Sequence, residues 1–137
     1  MTKMPTNVLR FERLMYLSLI IGIAFGLVHL RQRFIAEHGV IAYVVDTVIV
    51  VGLYTLGIWS AARRRKNFVR WLLLALLILG LLMTLKNIVA DYRTDPALVV
   101  EQAIQTLIQG LALCFVFSRE ARPWFQKQTA IDPDIFS

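Results

Sequence analysis

Near the middle of the chain, the stretch Ala61-Ala62-Arg63-Arg64-Arg65-Lys66-Asn67-Phe68-Val69-Arg70 separates two long apolar runs, with Trp59 just before it and Trp71 just after. No acidic residue balances its five cations, so the stretch cannot lie in hydrocarbon. A short basic connection between two membrane-length segments stays on the side of the membrane where it was made. This hinge therefore sets the orientation expected for every other segment.

The rest of the composition agrees with a lipid environment. Of the 137 residues, 58% are hydrophobic and only 18% charged, and the mean hydropathy is +0.63. A soluble domain of this length has too little interior to hide that much apolar surface. The net charge of +6 does not point to nucleic acid, because the cations sit in short stretches between the apolar runs and form no basic face interleaved with aromatics. A single cysteine, Cys114, excludes an internal disulfide, and its apolar neighbours predict a buried, inert thiol. The first apolar run is long and is not followed by a cleavage site and a soluble domain, so it is expected to stay as a signal anchor.

Four spans are expected, at about 14–30, 40–60, 68–89 and 97–117, packed as an all-α integral membrane four-helix bundle within residues 1–125, with 126–137 as a short cytoplasmic tail. Stretches 31–39 and 90–95 are the external loops, and Asp95-Pro96 predicts a helix start, with Asp95 as the cap and Pro96 in the first turn. Pro123 is expected to break the helix after the fourth span. The sides expected to face inward carry eleven of the fifteen Lys and Arg residues, while Arg31, Arg33, Lys86 and Arg93 lie on the external sides. All three tryptophans, Trp59, Trp71 and Trp124, fall at the same inner boundary. Cation bias and aromatic belt agree on a multi-pass protein of the cytoplasmic (inner) membrane with both termini in the cytoplasm.

Polar residues inside the spans are the candidate sites. Asp46 lies in the apolar run Val44-Val45-Asp46-Thr47-Val48, about 10 Å in from the outer end of its helix. A carboxylate at that depth is costly and needs a partner. It either fixes helix register as a structural ion pair, relays protons or ions, or meets a partner helix. On the fourth span Glu101, Gln105 and Gln109 recur every four residues and form a polar stripe, suited to line a cavity with Asp46 or to hydrogen-bond across helices. Asp46, His29, Lys86, Glu101 and Gln105 are thus expected to form one polar cluster. Two carboxylates at one height repel, so a cation is expected to bridge them, Lys86 first and His29 second, unless one stays protonated. Ser18, Gly22 and Gly26 put small residues on one face of the first span, with His29 continuing it, for close approach of another helix of this chain or of a partner. Arg63, Arg64, Arg65 and Lys66 serve topology and can also meet anionic lipid headgroups.

Several chemistries lack their residues. Haem between membrane helices takes two facing axial histidines, and the only histidine besides His29 is His38, in a loop. His29, Glu37 and His38 lack metal-ligand spacing, and the chain contains no phosphate loop, HExxH motif or nucleophile elbow. No cofactor, metal or enzymatic activity is expected.

The ends Arg10-Phe11-Glu12-Arg13-Leu14-Met15-Tyr16-Leu17-Ser18 and Phe117-Ser118-Arg119-Glu120-Ala121-Arg122-Pro123-Trp124-Phe125 resemble those of small uncharacterised bacterial inner-membrane proteins with four spans. The resemblance implies span layout and location and no activity. Small multidrug resistance transporters also place four spans in a chain of this size, but they carry an essential acid inside the first span, and residues 14–30 hold none. The expected role is a non-enzymatic accessory or assembly subunit that binds another membrane protein or itself. The alternatives are a small transporter or channel using Asp46 and Glu101, and an immunity protein against a membrane-active toxin.

Overall fold

The computed structural model describes residues 3–126, and for residues 30–33 the backbone alone. The expected tail at 126–137 therefore lies outside the described residues except for Gln126. Among the described residues six α-helices follow one another: α1 (Thr6–Phe25), α2 (Arg31–His38), α3 (Val40–Ala62), α4 (Asn67–Thr94), α5 (Pro96–Val116) and α6 (Arg122–Gln126). A π-helical segment, Gly26–Leu30, joins α1 to α2, and there is no strand among the described residues. Among the described residues four stretches are long and apolar enough to cross a membrane: Thr6–His29, Val40–Ala62, Asn67–Thr94 and Pro96–Val116. At helical rise they are about 32 to 42 Å long, against a hydrocarbon core of about 30 Å.

The connections are shorter and more helical than the sequence pattern predicts. Stretch 31–39 is not a loop, because the helical path runs through the π segment to His38 and turns only at Gly39, whose φ of 86° places it where a side chain would clash. At the basic hinge Ala61 and Ala62 still belong to α3, and Asn67 already begins α4. Residues 63–66 alone make the reversal, with Arg65 at φ 55° and Lys66 N–H reaching Ser60 O at 3.4 Å. On the other side α4 continues to Thr94, so stretch 90–95 shrinks to Asp95. That residue caps α5 as its spacing predicts, its Oδ1 accepting from Ala97 N–H at 3.0 Å with Pro96 in the first turn. The fourth span ends at Val116, before any proline. Pro123 breaks nothing; it sits in the first turn of α6, where its missing N–H costs no helical hydrogen bond.

The core gathers at the hinge end. Val8, Phe11 and Met15 of α1 meet Ile58, Ala61 and Ala62 of α3, Leu73 of α4, and Ala112, Leu113 and Val116 of α5. Ala121, Trp124 and Phe125 fold back to close this cluster. The small side chains of Ala61 and Ala62 leave room for the indole, and Trp124 Nε1–H donates to Ala62 O at 3.0 Å inside the protein. The Arg65 guanidinium stacks 3.8 Å above the same ring. Asn7 ties the start of α1 to the turn before α6, donating to Ser118 Oγ at 3.0 Å and Glu120 Oε2 at 2.8 Å.

Away from this end the packing thins out. α1 lies mainly along α5, α5 also along α4, and α3 packs more on α1 than on α4. Leu73, near the hinge, is the only buried residue of α4, whereas Ile78, Leu79, Leu82, Met83, Leu85 and Val89 farther along are exposed. The four long helices thus converge at one end and stand apart at the other.

Candidate functional site

Where the helices stand apart they enclose a cleft of about 480 Å³, lined by α1, α3, α4 and α5 and partly open to the surroundings. Glycine makes the room: Gly26 and Gly80 line the cleft, and a Cβ at either would meet no atom within 4 Å. Leu76, Leu77 and Leu81 supply an apolar wall from α4, and Phe34 and Tyr43 flank the α2–α3 side with ring centroids 5.8 Å apart. Into this setting α3 brings Asp46 and Thr47, and α5 brings Glu101, Gln102, Gln105 and Gln109.

The polar stripe of α5 divides into two parts. Toward the hinge it fastens α5 to α1: Gln109 Nε2 donates to Ser18 Oγ at 3.0 Å, and Gln105 Nε2 to Ser18 O at 3.3 Å. Ser18 is 1% exposed, and Gly22 lies so close to Gln105 that a methyl at Gly22 would land on its amide nitrogen. Ser18 and Gly22 therefore let α5 approach α1 within one chain, while Gly26, the third small residue of that face, borders the cleft. Away from the hinge Glu101 is half-buried and has no hydrogen bond or ion pair among the described residues.

Of the five residues expected to cluster, Asp46, Glu101 and Gln105 share the cleft. His29 and Lys86 do not line it, and neither bridges the carboxylates. For His29 the cause is the π-helical segment: its wider turn breaks the 3.6-residue repeat on which the Ser18–Gly22–Gly26 face was extended. The imidazole instead stacks on Phe25, ring centroids 4.0 Å apart, and is exposed. For Lys86 the cause is helical phase. Gly80 and Thr84 of α4 line the cleft, and two residues beyond Thr84 the helix has turned by about 200°. Lys86 is exposed and forms no ion pair among the described residues. Asp46, which lines the cleft and is exposed, likewise has no partner among them. Cys114 is exposed on α5, not buried, because it points away from the contact with α1.

Three features were not anticipated. Gln102, one residue past Glu101, lines the cleft, and its Oε1 is buried without a hydrogen-bond partner among the described residues. Reading α5 as a broad face rather than a four-residue stripe includes it. At the hinge end Glu12 is 7% exposed and accepts from Arg63 Nε at 3.1 Å and Nη2 at 3.3 Å. That hydrogen bond, and then the attraction of the carboxylate, holds the Arg63 guanidinium more firmly protonated than usual. Arg70 is half-buried between the rings of Phe117 and Phe125, 4.9 Å from each centroid. The hinge cations are thus built into the fold: Arg63 pairs with Glu12, Arg64 lies 4.6 Å above Trp59, Arg65 covers Trp124, and Lys66 is exposed.

The balance of hydrogen-bonding groups sets what the cleft can do. The Gln105 and Gln109 amide nitrogens are directed to Ser18, and Thr47 Oγ1–H donates to Tyr43 O at 2.8 Å. Two carboxylates and the buried Gln102 oxygen lack a hydrogen-bond partner among the described residues; the lining also holds the neutral hydroxyls of Tyr43, Tyr54, Thr84 and Thr106, but no Lys or Arg among the described residues. No group of three or more His, Cys, Asp or Glu side chains is placed to hold a metal ion among the described residues. The chain matches no family model, no curated protein and no solved structure.

Proposed function

We propose that this is a multi-pass protein of a bacterial cytoplasmic membrane, with the hinge and both chain termini on the cytoplasmic side, that acts without catalysis as an accessory or assembly subunit. Its working part is the cleft, which receives part of another membrane component or of a second copy of the chain. The observation that carries this reading is the cleft itself: it lies between stretches long and apolar enough to cross a membrane and holds polar side chains that find no partner among the described residues. Polar groups at that depth are costly unless something satisfies them. The orientation rests on the eleven-to-four division of Lys and Arg and on Trp59 and Trp71, exposed at the hinge end; Trp124, buried against Ala62, is not part of such a belt.

Reporter fusions after Lys66 and after Tyr92 test the orientation; a fusion after Lys66 that reports the external side overturns it. For the role, single cysteines at Thr84 and Thr47, beside the cleft, are cross-linked in native membranes before purification in mild detergent. A stoichiometric adduct at these positions that is absent from a cysteine on the outward face of α4 supports the subunit reading, and equal labelling of both faces refutes it. The shared lining by Asp46 and Glu101 favours a second reading, a small transporter, which requires substrate-dependent flux from the purified chain in liposomes.

A further inference from the structure

The chemistry of the cleft narrows what can occupy it. Its volume of about 480 Å³ falls among small-ligand cavities, which run from about 300 to 1,000 Å³. A cleft of that size accommodates a head group or a single long side chain. Asp46 and Glu101 come from different helices, α3 and α5, and no Lys or Arg balances them in the lining among the described residues. Gln102 adds a buried oxygen that lacks a donor. The other donors of the lining, the hydroxyls of Tyr43, Tyr54, Thr84 and Thr106 and the amides of Gln102, Gln105 and Gln109, are all neutral, so none balances the carboxylate charge. A carboxylate walled by leucine and glycine is poorly solvated and is stabilised by a cation that also donates hydrogen bonds.

We infer that the cleft is a binding site for an ammonium or guanidinium group carried on an apolar body, with Asp46 and Glu101 as its counter-charges and Gln102 as a further acceptor. The inference rests on the proposal that the cleft is the working part of the protein. An ammonium brings three N–H donors and a guanidinium five, enough to meet these acceptors, whereas a quaternary ammonium brings charge alone. The apolar body lies against Leu76, Leu77 and Leu81. Two sources carry this chemistry: a free amphiphilic amine, or a Lys or Arg side chain from a neighbouring membrane helix.

The test uses the full chain in lipid nanodiscs and three fluorescent probes that share one dansyl-alkyl body and end in a primary ammonium, a trimethylammonium or a neutral acetamide. The ammonium probe should bind, the trimethylammonium roughly tenfold more weakly, and the acetamide not measurably, given the strength of charged hydrogen bonds. Asp46→Asn and Glu101→Gln should each weaken the ammonium probe by about tenfold, and the double variant should abolish binding while its thermal unfolding stays that of the wild type. Because the carboxylate variants could alter packing, Gly80→Leu provides an independent check. It fills space where no atom lies within 4 Å, keeps both acids, and should also block the probe. Equal affinity for the three probes, absence of binding, or binding unchanged in the double variant overturns the inference. The cross-link from Thr84→Cys then separates the sources and the two proposals. If the ammonium probe displaces a cross-linked partner, the native cation is that partner's side chain. If the probe binds and no partner is captured, it is a free amine. If the partner is captured but all three probes bind alike, the subunit reading stands and the cation chemistry falls.

Discussion

Gly22→Ala tests the contact that sets the bundle's geometry. A methyl at Gly22 would land on Gln105 Nε2, so the amide must swing away and release its bond to Ser18 O, 3.3 Å long in the native protein. A bond of this kind contributes about 0.5–1.5 kcal/mol, and leaving its groups unpaired in apolar surroundings costs about 1–3 kcal/mol. Against this, replacing Gly by Ala inside a helix gains up to about 1 kcal/mol. The net expectation is a loss of about 1–2 kcal/mol. Gly26→Ala, one helical turn away with no atom within 4 Å of the new methyl, has only the favourable part and should be neutral or slightly stabilising. The assay is reversible unfolding in mixed micelles, followed by circular dichroism, for Gly22→Ala, Gly26→Ala, Gln105→Ala and the Gly22→Ala/Gln105→Ala pair. Removing the Gln105 side chain removes the obstacle, so the pair should be less destabilised than the sum of its two single changes. Additive effects at these two positions would refute the close approach of α1 to α5.

Two further changes probe the charges. Arg63→Met should lower the melting temperature more than Glu12→Gln, and adding Glu12→Gln to Arg63→Met should restore part of the loss, because a buried carboxylate without its guanidinium is the costly species; equal melting temperatures for Arg63→Met and the double change would show that the pair contributes nothing. Asp46→Leu and Asp46→Leu/Lys86→Met should melt at the same temperature, since Lys86 faces away from the cleft, and a lower value for the single change would mean that the two residues meet after all.

How much of this was legible in the sequence depended on the range of the force involved. The apolar runs and the cap at Asp95 follow from transfer energy and local hydrogen bonding, so each is written in consecutive residues. The joint lining by Asp46 and Glu101 followed from depth counted along two helices. Depth was not enough for Lys86, whose face depends on rotation about α4 relative to Thr84, or for His29, which a π-helical turn moves off its expected stripe. Glu12 was readable only as a residue at the mouth of the first helix. Its burial comes from Arg63, fifty-one residues away, and from α6 closing over the hinge, and periodicity carries no trace of either. Pro123 misled for a related reason: a proline reads alike after a helix and in the first turn of a new one.

The seal at the hinge end joins residues that are synthesised far apart. Asn7 bonds to Ser118 and Glu120, and Trp124 to Ala62, so this end stays open until nearly the last described residues have been made. Until then the Ala62 carbonyl is uncovered and the floor of the core unfilled. A chain stalled or clipped before Trp124 keeps all four apolar helices but lacks the plug that closes them. In such a chain the Ala62 carbonyl stays uncovered and the open end exposes Ile58, Ala61 and Ala62, apolar surface of the kind that invites aggregation.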